Sequence, residues 1–513
     1  MVAGNIRRSA GMRQFSSDDL EAATAKDNLY TQDADGNWKV DPKKEPLKMA
    51  NHTRCYHDIP SLEEISDAVG KQYYSGEGAI QYVPEMVARA NADILDTVTG
   101  GKQLFIGDYV SSGRDSAKNL LRLLAEKAGL DVDERELEHR MTRYGLNPCG
   151  EIAIRDNLCN LSEIHLNTIR PEDIETQEKA FYAGGLQVAA LLQHKFTNAR
   201  LQYSREVDPI VGVSFTGLFD FFVNAFGAEW LGWMMDDCPD TEQGRMFIRK
   251  EEKFLTRWRM AALRGVKTYC EKHGIRLPNR YTTVQPAGSK SLLTGASSGW
   301  HPPKAQRFIR RITFGVKDPL VSALRDYGYT VIPAQSARDE EGNLLDDIED
   351  PRVQEVLVEI PTEVCWANLP GCDQFDLSKL SVKAQWRLYM HVQNVYTTHN
   401  TSATLEFREH EIEDLAEMIH DNIVQGDGYI SAALLARFDA NETFPRLPFE
   451  PITKETYDRM MTRVNIERSL LDEGVQFLDV LDKYDRADYE LKGAAGCDSD
   501  KCLSEEKQPV ASK

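Results

Sequence analysis

An amide, a thiol and a carboxylate stand at every second position of "NPCGEI": Asn147, Cys149 and Glu151. Cys159 follows ten residues after Cys149, inside "DNLCNLSEI". On an extended segment the side chains at i, i+2 and i+4 share a face, so the spacing predicts three groups converging on one small volume. The amide can donate and accept hydrogen bonds, the carboxylate can take a proton, and the sulfur between them is open to nucleophilic or radical work. The same residues also fit a loop with a buried structural cysteine between turn-forming polar neighbours. A protease-like nucleophile is poorly served, with Arg155 as the nearby cation to hold a thiolate. Zinc is served no better, because Cys149 and Cys159 lack the short spacing of zinc ligands and no Cys or His pair completes them. No metal ligands are assigned.

"QPAGSKS" is a second stretch with chemical content. Gly288 permits close backbone approach, and Ser289, Lys290 and Ser291 lead into an apolar segment that can begin a helix. Amides at a helix start favour anions. Gly and Ser also make plain turns. A third is "GCDSDKCLSEEK", with Cys497 and Cys502 in a polar stretch.

The elements that must position these groups alternate in type. Ser61 followed by Glu64 marks a capped helix over "SLEEISDAVGKQYY". Amphipathic helices are predicted over 111–129, 131–145, 180–195, 247–274, 381–400 and 409–426. Short apolar runs between them predict strands within 153–166, 281–288, 310–316, 329–336, 355–361 and 401–407. The alternation favours an α/β fold with parallel strands. "VAGNI" at 2–6 reads as a buried strand that begins abruptly, which suggests that something normally preceding it is missing or separately supplied. After about Asp485 the chain turns polar and reads as a mobile tail.

The 513 residues exceed one ordinary core, and 41% hydrophobic with 28% charged residues fits a globular protein. A net charge of −20 argues against non-specific nucleic-acid binding. Nine scattered cysteines do not form a disulfide scaffold. "MVAGNIRRSAGM" carries two arginines where a signal peptide needs an apolar core, and the apolar run over 210–233 is broken by Asp220 and Glu229. These features predict a cytoplasmic protein with no membrane association.

"NPCGEIAI…CNLSEIHLN" resembles the active-site loop of ribonucleotide reductases, particularly the monomeric adenosylcobalamin-dependent (class II) ribonucleoside-triphosphate reductases. "GNIRRSA", "MANHT", "SGEGAI", "GVSFTGLFDF", "QPAGSKSLLTGASSGWHPPKAQRFIRRI" and "HNTSATLEFRE" agree, so the resemblance covers essentially the whole chain. It implies a ten-stranded α/β barrel with a central finger loop, a catalytic part over 1–484 and a redox-active tail over 485–513. It implies Cys149 as the thiyl-radical cysteine that takes the ribose 3′ hydrogen, and Glu151 as the base for the 3′-hydroxyl proton. Asn147 would hydrogen-bond the ribose hydroxyls, and Cys159 would supply reducing equivalents as half of a disulfide. Cys497 and Cys502 match the pair that re-reduces that disulfide by exchange, although a tail with two incidental cysteines would look alike. Ala287, Gly288, Ser289 and Ser291 become candidates for substrate phosphates. Adenosylcobalamin is the implied cofactor. A ribonucleoside triphosphate, a thioredoxin-type reductant and a deoxynucleotide effector are the implied partners.

The sequence departs from the family pattern in one respect. The partner of Cys159 lies upstream of "VAGNI"-like sequence in the family, and this chain shows no such segment. The N-terminal part of the barrel is therefore expected to be missing, with an open edge near residues 2–6 and an N-terminal fragment as partner. Cys55 is a weak stand-in for the missing cysteine. Cys55, Cys238, Cys270, Cys365 and Cys372 read as packing. Two alternatives stay open. One is a fragment of a class I catalytic subunit, disfavoured because no adjacent tyrosine pair stands late in the chain. The other is a non-catalytic remnant.

Overall fold

The structure, a computed structural model, describes residues 11–26, 29–32, 38–40, 44, 47, 50–75, 79–339, 343–437, 446–471 and 475–484. The expected strand over 2–6 with its open edge, and the tail over 485–513 with Cys497 and Cys502, lie outside them. The described residues sort into two compact units, the first within Met1–Pro302 and Lys379–Arg437, the second within Pro303–Ser378 and Phe438–Lys513.

The described strands are, in chain order, β1 (Gly11–Ser16), β2 (Tyr30–Gln32), β3 (Trp38–Val40), β4 (Ala50–Tyr56), β5 (Ala79–Tyr82), β6 (Leu161–His165), β7 (Gly212–Thr216), β8 (Arg307–Gly315), β9 (Thr330–Pro333), β10 (Glu355–Glu363), β11 (Thr404–Phe407), β12 (Ser431–Ala436) and β13 (Phe449–Pro451). In the first unit β2 and β3 form a small antiparallel pair. The larger sheet runs β1-β4-β5-β12-β11, and β6 pairs with β7. Single parallel bridges, Val213 to Thr282 and Val284 to Thr401, carry the pairing onward from β7. Neighbours therefore run β6, β7, 282–284, 401–407, β12, β5, β4, β1. The first five are mutually parallel, and so are the last three. The two sets meet antiparallel where β12 pairs with β5.

The predicted helices in this unit form where their caps stand. The Ser61 N–H donates to Glu64 Oε2 at 2.8 Å and the Glu64 N–H to Ser61 Oγ at 3.3 Å, which starts helix Leu62–Ser75. Asp173 caps helix Ile174–Ala190, and Thr241 caps helix Glu242–His273, which stops at left-handed Gly274. The last two helices touch backbone to backbone. A Cβ on Gly185 would stand 2.4 Å from the Ala262 carbonyl oxygen, and one on Gly265 would stand 2.2 Å from that of Tyr182. This close approach lets Phe181 stack on Trp258, with ring centroids 5.2 Å apart, above β7 residue Phe215. The apolar run over 210–233 becomes β7 and helices Leu218–Phe226 and Ala228–Met235. No helix among the described residues is long and apolar enough to cross a membrane.

A buried ion cluster fixes the start of the 281–285 segment. Asp208 lies 2.7 Å from Arg280 and 3.3 Å from Arg143, all three almost without exposure. Burial alone would raise the Asp208 carboxyl, but Arg143 and Arg280 outweigh it and hold it at about 2.

The second unit departs from the parallel expectation. Its sheet, β13-β8-β10-β9, is antiparallel throughout. The runs at 310–316, 329–336 and 355–361 supply three of those strands. Opposite charges face each other across β8 and β10: Arg311 meets Glu359 at 2.6 Å, and Arg307 meets Glu363 at 2.6 Å. Such cross-strand pairs favour this antiparallel register over the parallel one that the alternation of element types suggested.

Candidate active site

The stretch around Cys149 is a hairpin tip and not the extended strand that the spacing suggested. Leu146 and Ala153 form an antiparallel bridge, and the Asn147 N–H donates to the Ile152 carbonyl at 3.2 Å. Between them the Gly150 N–H donates back to the Asn147 carbonyl at 2.8 Å, with Gly150 at φ 78°. Pro148 and a left-handed glycine turn the chain where alternation assumed a straight one. The convergence survives by another route, since the turn sets residues 147 and 152 across from each other and leaves Glu151 next to that pair.

The Asn147 side-chain oxygen accepts from the Ile152 N–H at 3.0 Å, which orients the amide. The Asn147 side chain also acts on the Glu151 carboxyl and the Cys159 thiol, working against the upward push of burial on each. Glu151 is 2% exposed, and its Oε2 finds no hydrogen-bond partner in the protein. Burial pushes its carboxyl upward, against smaller opposing effects that include Asn147 and the charge of Lys290. Cys149 is exposed at the tip. Cys159 also keeps open surface, yet protein packs around its thiol. That burial, with Glu151 and Cys149 beside it, pushes the thiol up to about 12. Asn147, Cys149, Glu151 and Cys159 thus act on one another as one cluster.

Distant segments hold the tip by its carbonyls. The Cys149 carbonyl accepts from Ser402 Oγ at 2.8 Å, and that of Gly150 from Asn400 Nδ2 at 2.7 Å. The Glu151 carbonyl accepts from Thr283 Oγ1 at 2.7 Å and from the Asn400 N–H at 3.2 Å. Three consecutive carbonyls are therefore fixed by the two bridge-forming segments between β7 and β11. The Ala153 N–H donates to His399 Nδ1 at 3.2 Å, so His399 Nε2 carries the proton and donates to the Val211 carbonyl at 2.9 Å. Burial, with Arg280 adding to it, lowers His399 to about 3 and keeps it neutral.

The 287–291 candidates form a turn and not the start of a sustained helix: a 3₁₀ turn of three residues, Ser291–Leu293, follows them. Ala287 adopts φ 53° and is buried, and the Ser291 N–H donates to its carbonyl at 3.0 Å. Ser291 is buried with its hydroxyl 3.3 Å from that of Ser298, whereas Gly288 and Ser289 are exposed. Lys290 donates to Gln285 Oε1, and its charge reaches Glu151, so this turn borders the cysteine cluster. Cys55 is buried on β4 between Gln14 and Gln81, and its thiol is pushed up to about 11, chiefly by burial.

Sequence reasoning did not single out Thr283, His399, Asn400 or Ser402. Their signal lay in the strand candidate over 281–288 and in "HNTSATLEFRE", whose hydroxyl, amide and imidazole groups are unusually dense for buried strands. A cavity of about 650 Å³ lined by Arg135, Glu138, His139, Arg155 and Tyr203, among others, contains none of the cluster residues.

No family model matches the chain. The chain is similar to adenosylcobalamin-dependent ribonucleoside-triphosphate reductases. That of Levilactobacillus brevis is 24% identical over 388 residues, covering 74% of this chain and 48% of the relative. That of Lactobacillus leichmannii is 25% identical over 419 residues, 78% and 52% of the two chains. That of Lacticaseibacillus paracasei is 24% identical over 476 residues, 91% and 53%. The chain thus spans about half the length of the curated relatives it matches. A crystal structure of a B12-dependent (class II) ribonucleotide reductase superposes with a TM-score of 0.61 at 20% identity, covering 91% of this chain and 56% of that one. The chain carries the α/β fold of a class II ribonucleotide reductase over the part that the two share.

Proposed function

We propose that the chain carries the catalytic loop of an adenosylcobalamin-dependent reductase that converts ribonucleoside triphosphates to 2′-deoxyribonucleoside triphosphates. The observation that supports it most is the hairpin tip. Its three carbonyls are tied down, its amide acts on both the buried carboxyl and the second thiol, and its first thiol is exposed. In this reading Cys149, as a thiyl radical, takes the 3′ hydrogen of the ribose. Glu151 accepts the 3′-hydroxyl proton while Asn147 orients the ribose hydroxyls. Cys159 supplies reducing equivalents and ends in a disulfide.

An exposed Cys149 thiol fits a cofactor that must reach it from outside the loop, and adenosylcobalamin, when bound, supplies the radical chemistry. No residue that holds the corrin is assigned here. The 287–291 turn, with Lys290 at its edge, would take the substrate phosphates. The disulfide calls for a thiol opposite Cys159, which we assign to an N-terminal fragment of the same kind of enzyme. A thioredoxin-type reductant and a deoxynucleotide effector complete the partners. The test is to mix the chain with such a fragment, adenosylcobalamin, a dithiol and a ribonucleoside triphosphate, and to assay deoxynucleotide by chromatography. Cofactor-dependent product is expected, and a folded, associated mixture that yields none overturns the reading.

A further inference from the structure

β6 turns Leu161, Glu163 and His165 to one face. The Glu163 side chain is 5% exposed, and neither of its oxygens accepts a hydrogen bond in the protein. Two basic groups stand near. Lys290 Nζ is 3.9 Å from Oε2, and His165 Nε2 is 3.7 Å from Oε1. His165 is itself lowered, by burial first and by Lys290 second, and its Nδ1 lies 2.7 Å from Thr294 Oγ1. It is therefore neutral at neutral pH. A cavity of about 300 Å³ opens beside the carboxyl, and the other polar side chains lining it, Ser162, Thr168 and Gln187, carry no charge. Among the described residues Lys290 is thus the full positive charge that acts on Glu163, against the upward push of burial.

Lys290 is half exposed on the 287–291 turn and also acts on Glu151. One ammonium group serves two buried carboxyls, at the place where the reading above puts a polyphosphate. An anion on that turn would compete with Glu163 for it. A buried carboxylate that loses its one full counter-charge and gains a neighbouring anion is strongly destabilised unless it is neutralised.

Resting on the phosphate reading of this turn, we propose that Glu163 is a positioning residue that holds Lys290 ready, and that it takes up one proton when an anionic ligand recruits Lys290. The proton comes from solvent and turns the Glu163 carboxylate into a carboxylic acid; no other bond changes. Binding would then weaken as pH rises, because the proton becomes harder to supply. One linked proton sets the limit at tenfold in affinity per pH unit.

The test is calorimetric titration of the full chain with inorganic triphosphate between pH 6 and 8, in pairs of buffers with different ionisation enthalpies. Wild type should take up as much as one proton more than Glu163→Gln. Its affinity should fall relative to that variant as pH rises. Lys290→Met, checked for native circular dichroism, should bind at least tenfold more weakly. Equal proton counts in wild type and Glu163→Gln, or undiminished affinity in Lys290→Met, would overturn the proposal while leaving the phosphate reading intact. Failure of the folded wild-type chain to bind triphosphate would overturn both.

Discussion

At the scale of the residue, the cluster sorts its members by exposure. On the proposed reading, the sulfur that would meet the cofactor is exposed, and the carboxyl that would take a proton is buried and raised. Cys149→Ser should leave nucleotide binding unchanged and bring deoxynucleotide formation below detection, because an O–H bond is too strong to exchange hydrogen as S–H does. Retained turnover in that variant would remove the radical role. Glu151→Gln should lower kcat by roughly 10²–10⁴-fold, the usual worth of a positioned base. On this reading Glu151 acts as a base when ionised, so kcat should fall as pH drops through its folded-state value, which lies above 4.5. A profile with no acid limb would argue against it. The identities of Asn147, Cys149, Glu151 and Cys159 were legible because reactive groups recur at short spacing. Their geometry was not, because a proline and a glycine between them reversed the chain.

At the scale of the element, helices were legible wherever a capping side chain preceded an amphipathic run, as at Ser61 and Ser381. The segments at 282–284 and 401 were harder to read. Each contributes isolated bridges, and their many threonines serve side-chain hydrogen bonds to other segments. The Asp208–Arg143–Arg280 cluster was invisible, since its members lie far apart in sequence and nothing local marks them as buried. It anchors the entry to the segment that holds Glu151. Asp208→Asn should destabilise the protein by about 3–5 kcal/mol in urea titration, because two buried guanidinium groups lose their counter-charge. The wild-type contribution is fully present above 3.8, the ordinary value of the carboxyl, and is lost as pH falls through its folded value of about 2. The stability difference between wild type and Asp208→Asn should therefore shrink below pH 4. A difference independent of pH would mean that the aspartate acts by packing.

At the scale of the whole molecule, the redox reading depends on a tail that must reach the cluster and leave it. Replacing Cys497 and Cys502 by serine should stop turnover driven by thioredoxin, and a small dithiol that reaches Cys159 directly should restore part of it. Equal loss with both reductants would make the tail structural. The α/β class was legible from alternating elements, and so was the likeness to a reductase from a few strings. The antiparallel second unit was not, because strand direction depends on which neighbours a strand finds. The way the hairpin tip is held has a temporal consequence. Ser402, which grips the Cys149 carbonyl, lies 253 residues later in the chain, and Thr283, which grips that of Glu151, lies 132 residues later. During synthesis the reactive sulfur leaves the ribosome long before its holders exist. The site is then among the last parts of the first unit to assemble, and a nascent chain stalled before residue 402 exposes a thiol that has not yet been aimed.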